Sequence, residues 1–111
     1  MNSAETLKLN KDFRRLYYRG RSAAARTVVI YVQKNRLQKN RIGLTCGKTV
    51  GKAVARNRAK RLMRESFRIL LPEMKKGYDI VIIARTAICR KKCGDVLKDL
   101  RIAMERLDML L

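Results

Sequence analysis

The sequence predicts an α+β fold, a two-layer sandwich of helices on a sheet, in the order helix, two strands, helix, strand, helix. Three observations predict it. Runs rich in β-branched residues (27–33, 41–46 and 78–84) are interspersed with segments whose apolar residues recur every three or four positions. The run at 78–84, Tyr-Asp-Ile-Val-Ile-Ile-Ala, is apolar almost throughout, as suits a strand buried on both faces. The 111 residues carry no repeat, linker or low-complexity run, which leaves room for a single domain over 1–111 with one core.

The first helix spans 10–19: Asn10 can cap it, Phe13, Leu16 and Tyr17 share one face, and Gly20 ends it. Residues 27–33 read as a strand. The polar stretch 34–40 fits a hairpin loop, which makes 41–46 an antiparallel partner for that strand. A glycine-punctuated connection, Gly47-Lys48-Thr49-Val50-Gly51-Lys52, leads into a long helix over 53–71 that Pro72 and Gly77 close off. After the strand at 78–84, Gly94 or Asp95 caps a last helix whose core stripe is Val96, Leu100, Ala103, Leu107 and Leu110. One further short strand fits 21–26 or 49–50.

The charge balance sets the class of partner. Twenty-eight Lys and Arg stand against nine Asp and Glu, a net +19. Solubility needs a net charge of only roughly 2–8, and the excess opposes compaction until a polyanion relieves it. Nucleic acid does so best, through phosphate neutralisation and counterion release. A membrane suits the chain poorly: there is no Trp, and no run approaches the ~20 apolar residues of a span. Residues 1–5 lack the basic-then-apolar layout of a signal peptide. Three cysteines, Cys46, Cys89 and Cys93, fit a reducing compartment, the cytoplasm. A zinc site at Cys89 and Cys93 would need a carboxylate as its fourth ligand, because the chain has no His, so incidental thiols and no metal site are expected.

The long helix concentrates this charge. At ~100° per residue, Arg56, Lys60, Arg64, Asn57, Arg68 and Arg61 fall within about 140° of one another. Ala55, Ala59, Leu62, Ser66, Ile69 and Leu70 occupy the opposite arc, with Met63 just beyond, and form the expected core face. Arg58 and Glu65 lie at the boundary, where Glu65 can pair with Arg61. Ordinary solvated faces mix signs; this strip contains no acid, and like charges four residues apart repel. Arginine predominates, and its planar fork suits bidentate phosphate recognition. The strip therefore reads as a nucleic-acid contact.

The segment Gly51-Lys52-Ala53-Val54-Ala55-Arg56-Asn57-Arg58-Ala59-Lys60-Arg61-Leu62-Met63-Arg64-Glu65-Ser66-Phe67-Arg68 resembles the signature helix of the bacterial ribonuclease P protein subunit. Phe13-Arg14-Arg15-Leu16-Tyr17-Tyr18-Arg19-Gly20 resembles that family's first helix, Arg41-Ile42-Gly43-Leu44 the strand before its glycine loop, and 78–85 its last strand. The resemblance implies a protein that binds a large catalytic RNA and the 5′ leader of precursor tRNA, with Mg²⁺ held mainly by the RNA; no obligatory protein partner is evident. By position it implicates Arg56, Asn57, Arg58, Lys60, Arg61, Arg64 and Arg68 in binding the catalytic RNA. It places the unpaired leader in a cleft between first helix and sheet, at Phe13, Tyr17 and Tyr31, with Lys48, Lys52 and Arg85 on its phosphates. Tyr17 stands where Phe is common, and Gly47 where other members often carry a side chain that reaches the leader. The resemblance also implies a left-handed strand–helix–strand crossover, against the usual right-handed rule.

The cleft residues make sense on general grounds too, since stacking on an aromatic ring contributes about 1–3 kcal/mol per base with little sequence preference. Phe13, Tyr17 and Tyr31 have an alternative reading as plain core. Catalysis by the protein alone is not expected. There is no His to serve as a base, and the nine acids are scattered where a two-metal nuclease would cluster them; Asp79, beside a strand, is the one to watch. A ribosomal protein or general RNA chaperone is the alternative reading of the same composition.

Overall fold

The computed structural model describes residues 4–111; residues 1–3, part of the stretch compared with a signal peptide, lie outside the described residues. Along the chain run β1 (Glu5–Thr6), α1 (Asn10–Arg19), β2 (Arg21–Ala24), β3 (Val28–Lys34), β4 (Arg41–Thr45), α2 (Ala53–Leu70), β5 (Tyr78–Ala84) and α3 (Cys93–Arg106). Short 3₁₀ turns occupy Lys48–Val50, Leu71–Glu73 and Thr86–Arg90. The strands form one mixed sheet in the order β1-β4-β5-β3-β2.

This order corrects the expected hairpin. β3 and β4 do not pair with each other: β5 lies between them, antiparallel to β3 and parallel to β4. The most apolar strand gains most by taking the centre, where its two edges are paired and helices cover both faces. The 34–40 loop is held to the start of β5, with the Asn35 N–H donating to the Gly77 carbonyl at 2.9 Å. β4, α2 and β5 thereby form a crossover between adjacent parallel strands, the unit to which the resemblance assigns a left hand.

Strand alternation divides the side chains between two faces. Val28, Ile30 and Val32 of β3 and Ile80, Ile82 and Ala84 of β5 point into the main core. There they meet Ala59, Met63, Phe67 and Leu70 of α2, and Val96, Leu100, Ala103 and Met104 of α3. On the opposite face α1 adds a partial third layer, with Leu16 fully buried beside Leu7 and Val81.

Several local expectations change. Asn10 does not cap α1; it is the first helical residue, Leu9 takes the cap position, and no side chain caps the end. Gly20 does end α1, and a Cβ there would lie 2.5 Å from the Leu16 carbonyl oxygen and 3.0 Å from that of Val32. Neither Gly94 nor Asp95 is the cap of α3: Lys92 is, and the Asp95 carboxylate accepts its N–H at 3.0 Å. Leu110 lies past the helix in a bridge to Met74, while Met104 and Met109 complete the core. Of the two sites for an extra strand, 21–24 forms β2 and 49–50 a 3₁₀ turn. The expectation missed β1, a two-residue strand alongside β4.

Candidate nucleic-acid interface

Three rows of side chains cross the α1 face of the sheet, each read from the strand register. The first is Arg41, Asp79 and Gln33, the second Gly43, Val81 and Tyr31, the third Thr45, Ile83 and Val29. α1 lies over the second row. The Phe13 ring rests on Gly43, where a Cβ would come 2.5 Å from its Cζ. Tyr17 meets Tyr31 edge-on, with ring centroids 5.1 Å apart and an interplanar angle of 68°. Such a pair adds about 0.5–1.5 kcal/mol beyond its burial. The third row is covered only in part, and Val29, Ile83 and Thr45 are half-buried.

Beside α1 opens a cleft of about 610 Å³, lined by Phe13, Arg14 and Tyr17 from the helix and Thr45 from β4. Tyr17 keeps 40% of its surface exposed, and burial, with Tyr31 beside it, pushes its phenol pKa up. The hydroxyl therefore remains a donor. Because β4 and β5 are parallel, the chain leaves both at the same end of the sheet. Exposed Lys48 and Lys52 follow β4 there, and exposed Arg85 follows β5 with one guanidinium nitrogen donating to the Ala25 carbonyl at 2.9 Å. Phe13 and Tyr17 thus line the cleft with Lys8 and Arg14, and Tyr31 packs against Tyr17, while Lys48, Lys52 and Arg85 lie at the strand ends outside that lining. An open cleft with exposed aromatic surface suits an unpaired strand. Phe13 belongs to both readings offered for it: half-buried against the sheet, it also lines the cleft. Gly43→Ala should test that seat. The new methyl overpacks the contact at about 1–3 kcal/mol and tips the Phe13 ring, to be read by thermal melting and by ring-current shifts of the Val81 methyls.

Along one flank of α1 the first row forms an ion cluster. Asp79, 1% exposed, accepts two bonds of 2.7 Å from Arg41, one of 2.6 Å from Arg15 and one of 3.0 Å from Asn35. Burial alone would raise its pKa. The hydrogen bonds from Arg41 and Asn35 and the charges of Arg41 and Arg15 outweigh that and hold the carboxyl below its ordinary 3.8. A carboxylate already bound on both oxygens ties α1 to the sheet and has nothing left for catalysis. Among the described residues no group of three His, Cys, Asp or Glu gathers to hold a metal ion. The Cys89 thiol donates to the Val50 carbonyl at 3.0 Å, and Cys93 lies beside the Ser66 hydroxyl.

The second candidate surface is α2, on the other side of the sheet. Asn57, Arg61, Arg64 and Arg68 are exposed, and Arg56 and Lys60 are half-buried at the strip's inner margin. The buried stripe is Ala59, Met63, Ser66, Phe67 and Leu70, rotated from the expected one: Ile69 is 52% exposed and Phe67 is core. Both α3 and β4 pack against this helix, which turns its buried side toward Phe67. Glu65 pairs with Arg68 at 3.2 Å, and this replaces the expected pairing with Arg61. Arg58 stands apart from the strip. Its guanidinium donates to the carbonyls of Lys91 at 2.8 Å and Cys89 at 3.4 Å, clamping the turn before α3. Sequence reasoning missed Lys8, Arg14 and Thr45 of the cleft; the two-residue period of β4 carries Thr45, once its neighbours in the sheet are known.

Comparison with known proteins identifies the family. The model of the family described as Ribonuclease P matches residues 1–108. A ribonuclease P protein component from Clostridium botulinum is 52% identical over 82 residues, covering 73% of this chain and 74% of its own. One from Clostridioides difficile is 39% identical over 109 residues, covering 97% and 96%. The Staphylococcus aureus RNase P protein superposes with a TM-score of 0.86 at 30% identity, over 98% of this chain and all of that one. The Thermotoga maritima protein gives 0.80 at 32%, over 88% and 93%. A sheet edged by an aromatic cleft, backed by a cationic helix and matched along nearly its whole length, places the chain in the bacterial ribonuclease P protein family.

Proposed function

We propose that the α2 strip grips the catalytic RNA of ribonuclease P while the α1 cleft holds the unpaired 5′ leader of precursor tRNA. Family membership carries the coarser function, that of an RNA-binding subunit of the endoribonuclease that matures tRNA 5′ ends, and it decides against a ribosomal protein or general chaperone. The observation that supports the finer division is the placement of two chemically different surfaces on opposite faces of one sheet. α2 presents Arg61, Arg64 and Arg68 with no exposed aromatic, which suits the phosphate-rich surface of a folded RNA. α1 and β3 present Tyr17 and Tyr31, which suit bases without regard to sequence. An enzyme that meets many different leaders needs that tolerance.

In this reading the protein contributes positioning and not bond chemistry. Holding the leader in the cleft fixes the scissile phosphate relative to the RNA, and such pre-organisation lowers the entropic part of the barrier. Mg²⁺ would supply the activated water. Among the described residues no three His, Cys, Asp or Glu gather around a common point, and in this reading the ions are held mainly by the RNA. The proposed place of work is the cytoplasm, a reading supported by three free thiols; among the described residues no helix is long and apolar enough to cross a membrane. The test is direct. Purified protein with Mg²⁺ and precursor tRNA should leave the substrate intact, and adding a bacterial ribonuclease P RNA at low Mg²⁺ should restore cleavage at the mature 5′ end. Specific maturation by RNA-free protein would refute the assignment.

A further inference from the structure

A second groove, of about 410 Å³, opens along the same sheet edge as the cleft but on the opposite face, between α2 and β4. Its floor is apolar: Ile42 and Leu44 from β4, and Phe67 from α2. Its rim is cationic: Lys60, Arg64 and Arg68 stand at successive turns of α2, each about 6 Å farther along the axis. β1 closes the far side with Thr6. No acid is among the described residues that line it. The volume falls within the roughly 300–1,000 Å³ typical of small-molecule sites, so it is larger than a packing flaw.

An apolar slot under a row of cations is complementary to one class of ligand above others, a flat apolar ring carrying a phosphate. We propose that this groove receives an unstacked nucleobase from the RNA that lies on α2, with Ile42 and Leu44 against the base and Lys60 and Arg64 on the flanking phosphates. The inference rests on the reading that α2 binds RNA and adds that the contact is not electrostatic alone. A folded RNA exposes base faces chiefly at bulges and loops, so the groove selects an RNA with an unpaired nucleotide at that point. The strip alone would accept any phosphate-rich surface. An acidic protein segment would be the rival occupant.

The two kinds of contact separate experimentally, because removing a phosphate partner lowers the salt slope whereas removing a stacked base lowers affinity at every salt concentration. Thr6 is exposed and lines the groove, so Thr6→Trp fills the slot with an indole without removing a cation or a core side chain. The probe is a transcribed bacterial ribonuclease P RNA, titrated with folded T6W over a range of salt. Affinity should fall at least about fivefold with the slope of log K against log salt unchanged. Wild-type affinity for T6W overturns the proposal and leaves the rival occupant; a slope lower by one or more overturns it too, since a cation would then have been displaced. A second measurement needs no variant. In the wild-type protein bound to the RNA, the Ile42 methyl resonances should move under a ring current. Ile42 lines this groove and not the cleft, unlike Leu44, which borders both, so a leader in the cleft does not mimic the effect; unmoved Ile42 methyls overturn the proposal. Failure of the wild-type protein to bind the RNA at all would instead refute the reading of α2.

Discussion

Asp79→Ala is expected to cost about 3 kcal/mol, the lower part of the range for breaking a buried ion pair. The lower part applies because the partner side chains, Arg15 and Arg41, keep 33% and 27% of their surface and can recover some hydration. For a domain of this size that is a fall of roughly 10–20 °C in melting temperature. The mechanism is specific. Asp79 joins β5 to β4 through Arg41 and to α1 through Arg15, and its loss leaves two cations facing each other with no anion between them. The paired replacement Asp79→Leu with Arg41→Met should therefore cost less than Asp79→Ala alone. The pH dependence follows from the lowered pKa. Stability from this cluster is complete above the ordinary value of 3.8 and is lost as pH falls below it through the folded-state pKa, when the carboxyl takes up a proton. Thermal melts from pH 6 down to pH 2 check both points: an Asp79→Ala protein that melts within a few degrees of wild type, with unchanged acid sensitivity, would show that Asp79 does not hold α1 and β4 together.

The double substitution Arg61→Ala with Arg64→Ala should have the largest effect on RNA. Both side chains are exposed on the strip and neither is tied into an ion pair among the described residues, so their removal leaves folding nearly unchanged. Each charge-assisted hydrogen bond to a phosphate is worth roughly 1.5–3 kcal/mol. Affinity for the catalytic RNA should thus drop by at least about a hundredfold at low salt, and the salt slope by about one per phosphate. Preference for leader-bearing over mature tRNA should survive once the complex is saturated. Phe13→Ala with Tyr17→Ala should give the reverse, near-normal assembly without the preference. Truncating Phe13 uncovers Gly43, and a full aromatic deletion from a core costs about 3–5 kcal/mol. Its half-buried ring will cost less, and circular dichroism must show a fold before binding is read. If both double variants lose both properties equally, the two faces do not divide the work.

The sequence by itself determined most of the elements and the chemistry of the partner. The bounds of α1 and β5 follow from periodicity and composition alone, because each side chain's preference for core or water is set locally. The net charge of +19 and the acid-free strip required a polyanion whatever the fold. Tertiary structure decided which strands are neighbours. Pairing β3 with β4 is the short-range solution, and the gain from burying both faces of Tyr78–Ala84 overrides it, a competition between segments that no single window contains. It also decided that Asp79 is a bound anion, that Arg58 clamps a turn, and that Phe67 replaces Ile69 in the core, since each depends on a residue at least twenty positions away. The groove under Lys60, Arg64 and Arg68 exists only because β4 and β1 end where α2 turns its cations outward. A cavity is a relation between surfaces, and it has no signature in any one of them.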